Sequence, residues 1–299
     1  MSASRPAPLA ASTWSTDALL VGMATIWAVN YSVVKYGAQQ LQPLAYNATR
    51  IALAGAVLLA LALRPGAAPP PWSERRSLMR LGLLGHGVYQ ALFVLGLNLT
   101  RAGNAALVAA ANPALTALVA ALLGVEQLRA RTALGIGLAF LGVGTLITGS
   151  ARGGAPSGSA LGDGIVLLAS LSWAFYSVLV KKHADHVPGL QITTWSLVGG
   201  FPLVLALGLP SLPAVEWRAV TGTTWAAVAY GGVAAMVIAM LMWSRGLHRV
   251  GPTRTALFGQ LQPVIAVLFA WAALGEVPTA WQIAGAGLVL GGLLLGRRG

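Results

Sequence analysis

A polar and aromatic stripe interrupts one of the strongly apolar stretches of this chain. His86, Tyr89, Gln90 and Phe93 are spaced i, i+3, i+4 and i+7, so a helix would carry all four side chains on one face. Tyr89 could stack on a flat ligand, while His86 or Gln90 could hydrogen-bond to its amino or carboxylate group. A hydrogen-bonded contact between two helices explains the stripe equally well.

Two other apolar stretches carry similar faces. Trp27, Asn30 and Tyr31 share one face of a helix near the start of the chain, and Trp173 and Tyr176 share a face in its second half. Aromatic residues often mark the membrane interface, but Trp27 and Trp173 lie near the middle of their stretches. We therefore expect both faces to line a central cavity.

Two prolines lie inside further apolar stretches at matching positions. Pro113 and Pro263 each lack the N–H that would bond the carbonyl four residues earlier, so each should break or kink its helix. Backbone groups freed in this way must find partners or line a wet cavity. Gln260, just before the second proline, could face a substrate there. A fixed kink and a gating hinge both fit the pattern.

Arg50 is a cation inside an apolar stretch, and no Asp or Glu lies at mid-helix to pair with it. We expect its side chain to snorkel towards the outer surface or to bond backbone carbonyls. Binding a substrate carboxylate is the alternative. Glu126 and Glu276 follow apolar stretches and are expected to cap neighbouring helices or to bond loop groups.

The elements that position these residues are membrane helices. Of the 299 residues, 57% are hydrophobic and only 9% are charged, against roughly 25% in ordinary soluble domains. A helix needs about 20 mostly apolar residues to cross a bilayer. The sequence predicts an all-α integral membrane protein with ten transmembrane spans, at residues 17–37, 43–63, 78–99, 103–124, 131–149, 162–182, 189–209, 221–245, 253–274 and 279–296.

The basic residues predict how these spans are oriented. Most of the 19 Lys and Arg residues fall on one side when the N-terminus is placed in the cytoplasm, which predicts that both termini lie inside. The net charge of +12 is explained by this topology, so we expect no nucleic-acid partner.

The two halves of the chain repeat one another. Trp27 corresponds to Trp173, and Pro113 corresponds to Pro263. Each half has five spans, an odd number, so the halves should be inverted in the membrane, as in transporters that work by alternating access. The predicted organisation is a tail at 1–16, a first repeat at 17–149, a linker at 150–160 and a second repeat with a short tail at 161–299.

Several short motifs follow one another in a specific order, namely Trp27-Ala28-Val29-Asn30 ending at Lys35, Pro43 with Arg50, and Asn112-Pro113 followed by Glu126. Over nearly the whole chain this order resembles the EamA-type ten-helix branch of the drug/metabolite transporter superfamily, and most of all its YddG-type amino-acid exporters. The resemblance implies export of aromatic and other neutral, largely hydrophobic amino acids across a bacterial inner membrane.

Other classes of function fit less well. There is no Cys, and no metalloprotease, serine-hydrolase or phosphate-loop motif, so we predict neither an enzyme nor an ATP-driven pump, and no cofactor or metal. With no carboxylate at mid-membrane, we expect facilitative transport. A multidrug or metabolite exporter that exchanges lipophilic cations for protons is the alternative. Small residues in the last span could pack within the chain or form a homodimer.

Overall fold

Helices joined by short loops make up the described part of the chain. This computed structural model describes residues 13–125, 127, 130–152 and 159–297, and these contain no β-strand. The all-α prediction is confirmed. The helices are α1 (Thr13–Leu41), α2 (Pro43–Ala62), α3 (Trp72–Leu99), α4a (Ala102–Ala109), α4b (Asn112–Leu122), α5 (Ala130–Arg152), α6 (Ser159–Ala184), α7 (Gly189–Gly208), α8 (222–259), α9 (Leu261–Leu274) and α10 (Ala280–Arg297).

Eight segments, with α4a and α4b counted together as one, are long and apolar enough to cross a membrane, and the two segments Leu261–Leu274 and Ala280–Leu295 are shorter apolar helices. Every predicted span therefore falls on a helix. The count of ten crossings and the inward position of both termini remain predictions.

Both predicted proline breaks are present. The helix carrying Pro113 is interrupted between Ala109 and Asn112, and the helix carrying Pro263 is interrupted at Gln260, between α8 and α9. In each case the preceding segment ends four residues before the proline, at the carbonyl that the proline cannot bond. Whether these breaks move as hinges stays a prediction.

The boundary between the eighth and ninth predicted spans is wrong. The sequence predicts a loop at 246–252, but the helix continues from Ala239 to Gly259 without a break. Arg, His and Thr side chains end an apolar stretch, yet they are compatible with helical hydrogen bonding. Polarity therefore marks the end of the apolar layer rather than the end of the helix.

Small residues bring α5 and α10 into backbone contact. A Cβ atom added at Gly142 would lie 2.7 Å from the carbonyl oxygen of Gly285, and one added at Gly285 would lie 2.9 Å from the carbonyl oxygen of Gly142. Of the small residues that the sequence singles out in the last span, Gly292 also packs against α5 within the chain, because a Cβ atom added there would overlap the Gly135 carbonyl. Gly287, in the same predicted strip, has open space where a Cβ atom would be added.

A polar network joins the helix ends on one side of the bundle. Lys35 Nζ lies 2.9 Å from Glu276 Oε1 and also donates to the carbonyl of Thr100. The backbone N–H groups of Ala102 and Gly103 donate to the Glu276 carboxylate at 3.1 and 3.2 Å, which caps the start of α4a. The prediction that Glu276 caps a helix is confirmed, whereas Glu126 lies outside the described residues.

The α5–α10 contact generates a stability prediction. Gly142→Leu should destabilise the fold, by about 1–3 kcal/mol or more, because its side chain would overlap the α10 backbone. The measurement is the thermal unfolding midpoint of the purified protein in detergent. Gly287→Leu is the matched control and should unfold near the wild-type temperature. Equal losses in both variants would contradict the close packing.

Candidate functional site

Aromatic side chains from three helices meet inside the bundle. The rings of Tyr89 and Phe93 on α3 are stacked with centroids 5.6 Å apart, and Tyr89 lies 5.1 Å from Trp173 on α6. Tyr31 on α1 meets the edge of Phe93 at 5.5 Å. Stacked and edge-to-face rings at these distances attract one another and also present flat faces for a planar ligand. We call Tyr31, His86, Tyr89, Phe93, Trp173 and Tyr176 the aromatic cluster.

His86 is the polar member of this cluster. Its ring meets Trp173 at 6.1 Å and Tyr176 at 5.6 Å, both edge-to-face, and the residue is 4% exposed. Both ring nitrogens are buried and have no hydrogen-bond partner among the described residues. An unpaired buried polar group costs free energy, so this imidazole is able to accept or donate a bond to a ligand at little expense.

A π-helical turn at Leu83–Val88 carries His86. The Leu84 carbonyl in this turn accepts the backbone N–H of Tyr89, as π-helical bonding requires, and it also accepts a hydrogen bond from Ser172 Oγ on α6 at 2.9 Å. A side chain at Gly85 would overlap the Tyr176 ring, so this glycine permits the close approach of α6. The apolar pattern of this span does not predict the turn, although two glycines, Gly85 and Gly87, flank His86.

A second π-helical segment, Tyr230–Ile238 in α8, accepts a hydrogen bond from Trp27. The indole Nε1 of Trp27 donates to the Ala235 carbonyl at 3.0 Å, and its ring lies 5.8 Å from Trp243. Among the described residues, Trp27 thus contacts α8 and makes no ring contact with the aromatic cluster. Each half of the chain therefore donates a side-chain hydrogen bond to a π-helical carbonyl of the other half.

Arg50 lies beside the aromatic cluster and is 1% exposed. Its guanidinium donates to Asn47 Oδ1 at 2.8 Å and to Gln90 Oε1 at 2.7 Å. The prediction that Arg50 snorkels or bonds backbone carbonyls is therefore wrong, because neutral side-chain oxygens hold it inside the bundle. Within the described part of the chain it forms no ion pair with a carboxylate.

The remaining predicted site residues occupy different surroundings. Asn30 Oδ1 is buried with no hydrogen-bond partner in the part of the chain that the structure describes, and it lies with the Arg50 side chain against Gly231. Gln260 Oε1, at the break before α9, is also buried without a hydrogen-bond partner among the described residues. Of the predicted site residues, the structure thus brings together Tyr31, His86, Tyr89, Trp173 and Tyr176. Gln90 instead accepts a hydrogen bond from Arg50. The amide oxygens of Asn30 and Gln260 are available to a ligand.

Apolar helices that enclose aromatic rings, unpaired polar atoms and interrupted helix segments define a membrane protein of the transporter class. The chain belongs to the EamA-like transporter family, whose model matches residues 14–148 and again 160–296. The predicted membership is confirmed, whereas the YddG type of amino-acid exporter remains a prediction.

Relatives named as transporters match most of the chain. A protein of Bacillus subtilis (strain 168) named "Uncharacterized transporter YyaM" is 29% identical over 92% of this chain and 91% of its own length. A protein of Salmonella typhimurium (strain LT2) named "Probable amino-acid metabolite efflux pump" is 29% identical over 93% of this chain and 92% of its own. A solved structure titled "Crystal structure of protein" shares the fold, with a TM-score of 0.60, 24% identity and coverage of 95% of this chain and 98% of that one.

The unpaired imidazole of His86 generates a prediction about the stability of two variants. His86→Leu should leave the fold unchanged or stabilise it by about 1–3 kcal/mol, because two buried nitrogens without partners are removed. Gln90→Leu, one helical turn away, should instead destabilise it because Arg50 loses an acceptor. Thermal unfolding of the two purified variants makes the comparison. Equal destabilisation would show that His86 already has its partners.

Proposed function

We propose that this protein exports small neutral amino acids, mainly aromatic and hydrophobic ones, across a bacterial inner membrane. The observation that carries the proposal is the buried Arg50 guanidinium, which forms no ion pair among the described residues and lies beside the aromatic cluster. A buried cation without a counter-charge is costly, and a substrate carboxylate would supply that charge.

The three parts of an aromatic amino acid find complementary groups here. The substrate ring would stack on Tyr89 and Trp173, whose own rings lie 5.1 Å apart. The carboxylate would bind Arg50 through the planar guanidinium. The ammonium group would donate to Asn30 Oδ1, which is buried, has no partner among the described residues and lies close to the Arg50 side chain at Gly231. A third acceptor, Gln260 Oε1, lies at the helix break before α9.

The proposed cycle is alternating access between two inverted five-helix halves, with both termini in the cytoplasm. The reciprocal hydrogen bonds from Trp27 and Ser172 to π-helical carbonyls support it, because each couples one half to the other. The breaks before Pro113 and Pro263 would supply the hinges. The Salmonella relative named as an amino-acid metabolite efflux pump also supports this substrate class.

We further propose that transport is facilitative. Glu276 bonds Lys35 and the backbone N–H groups at the start of α4a. Asp163, in the first turns of α6, accepts hydrogen bonds from Asn104 and Ser150, and in the described residues no carboxylate bonds Arg50 or His86. A proton-coupled carrier commonly uses such a carboxylate near its substrate. A lipophilic cation could stack on the same rings, but the charge of Arg50 would oppose its binding.

Substrate analogues in liposomes test this assignment. Purified protein is reconstituted into vesicles loaded with labelled tryptophan, and efflux is measured with and without a proton gradient. Unlabelled tryptophan should compete, whereas tryptamine, indole-3-propionate and tetraphenylphosphonium should compete weakly, because each lacks the carboxylate or the ammonium group. Competition by tetraphenylphosphonium with gradient-driven movement of that cation would instead assign the protein to the drug exporters.

Variants of the site and of the lipid-facing surface sharpen the test. Tyr89→Ala and Trp173→Ala should each reduce tryptophan efflux, since one stacking face is lost. Trp271→Ala is the matched control, because Trp271 is 51% exposed on α9 and should leave efflux unchanged. Wild-type efflux in both cluster variants would contradict the proposed binding surface.

Arg50→Lys tests the carboxylate anchor separately. The substitution keeps the positive charge but removes the planar fork, so the apparent KM for tryptophan should rise by roughly tenfold, equivalent to about 1.4 kcal/mol. The KM of wild-type and variant protein is measured in the same vesicles, with unfolding midpoints as the folding control. An unchanged KM in a folded variant would remove Arg50 from the substrate site.

A further inference from the structure

A separate group of side chains converges at one end of the bundle, away from the aromatic cluster. Glu74 lies in the first turn of α3, His183 in the last turn of α6, and His186 in the turn that follows α6. His183 Nδ1 lies 2.6 Å from Glu74 Oε2, and His186 Nε2 lies 3.6 Å from the same oxygen. One ligand atom from each of the three residues lies within 4.8 Å of the other two.

The ring of His183 is held from its far side. Its Nε2 lies 3.1 Å from Ser77 Oγ, one helical turn after Glu74 on α3. A histidine that binds a metal through one nitrogen commonly bonds a protein group through the other, which fixes the orientation of the ring. The side chain of His183 is 5% exposed and that of His186 is 53% exposed. The cluster therefore has one rigid inner ligand and one ligand at its open side.

We propose that Glu74, His183 and His186 bind a divalent transition-metal ion, with Zn²⁺ as the reference ion. Two imidazole nitrogens and one carboxylate oxygen form a ligand set that Zn²⁺ accepts, and water from the open side completes a tetrahedral shell. Ligand atoms about 2.0–2.2 Å from one tetrahedral Zn²⁺ ion lie about 3.3–3.6 Å from each other. Glu74 Oε2 and His183 Nδ1, which are 2.6 Å apart, must therefore separate slightly as the ion replaces the proton between them, whereas the 3.6 Å between Glu74 Oε2 and His186 Nε2 already fits. Mg²⁺ should bind far more weakly, because it prefers oxygen ligands.

The positively charged residue next to Glu74 interacts with other groups. Arg75, next to Glu74, donates from Nε to the Pro70 carbonyl at 2.7 Å, and its guanidinium lies over the Trp195 ring at 4.8 Å. This side chain therefore leaves the Glu74 carboxylate to the two histidines. A bound ion would join the start of α3 to the end of α6, which belong to different halves of the chain.

Binding can be measured without any transport assay. Full-length protein is purified in detergent, its affinity tag is removed, and Zn²⁺ is titrated in competition with a chromogenic chelator. We expect one Zn²⁺ per chain and a raised unfolding midpoint, because the ion binds the folded protein. His186→Asn and Glu74→Gln should each weaken binding by at least about tenfold, since each removes a ligand.

Two controls make the result decisive. Asp185→Asn removes an exposed acidic group between the two histidines and should bind Zn²⁺ as the wild type does. Mg²⁺ in place of Zn²⁺ should not shift the unfolding midpoint. The proposal is overturned if the wild type binds no Zn²⁺, or if His186→Asn and Glu74→Gln bind it as tightly as Asp185→Asn does. His186 is exposed, so its loss leaves the fold intact for this comparison.

Discussion

The apolar interior of the bundle is the constraint on which the rest of this structure depends. Water is scarce there, so every polar group must bond another part of the protein or wait for a ligand. The Arg50 side chain bonds other parts of the protein, because Asn47 and Gln90 accept its hydrogen bonds, but its charge is not neutralised. The buried polar atoms of His86 and Asn30 have no partners in the described residues, so they are available to a ligand. Unsatisfied polar groups and aromatic rings therefore lie together where the helices α1, α2, α3 and α6 meet.

The two π-helical segments are a local consequence of the same constraint. Each changes the hydrogen-bond pattern of its helix, and one carbonyl in each also accepts a side-chain hydrogen bond from the opposite half of the chain. Ser172 donates to the π-helical segment of the first half, and Trp27 donates to the π-helical segment of the second half. A tryptophan that the sequence assigns to the cavity wall thus has its indole nitrogen bonded to α8. Repeat equivalence between Trp27 and Trp173 does not give the two residues the same surroundings.

The sequence predicts the parts of this fold that depend on local chemistry. Hydropathy locates the apolar helices, and the missing N–H of Pro113 and Pro263 locates both breaks, because each effect acts within a few residues. The π-helical turns are not predictable in this way, since they change hydrogen bonding without changing polarity. The partners of Arg50 and the convergence of Glu74 with His183 depend on packing between distant segments, so no spacing in the chain reveals them.

The contact between α5 and α10 has a mechanical consequence. Gly142 and Gly285 bring backbone against backbone, where there are no rotamers that could adjust to sliding of one helix past the other. A displacement of α5 must therefore carry α10 with it. The two helices act as a single rigid unit although they come from opposite halves of the chain. Sliding is therefore restricted at a contact that joins the last helix of one half of the chain to the last helix of the other half.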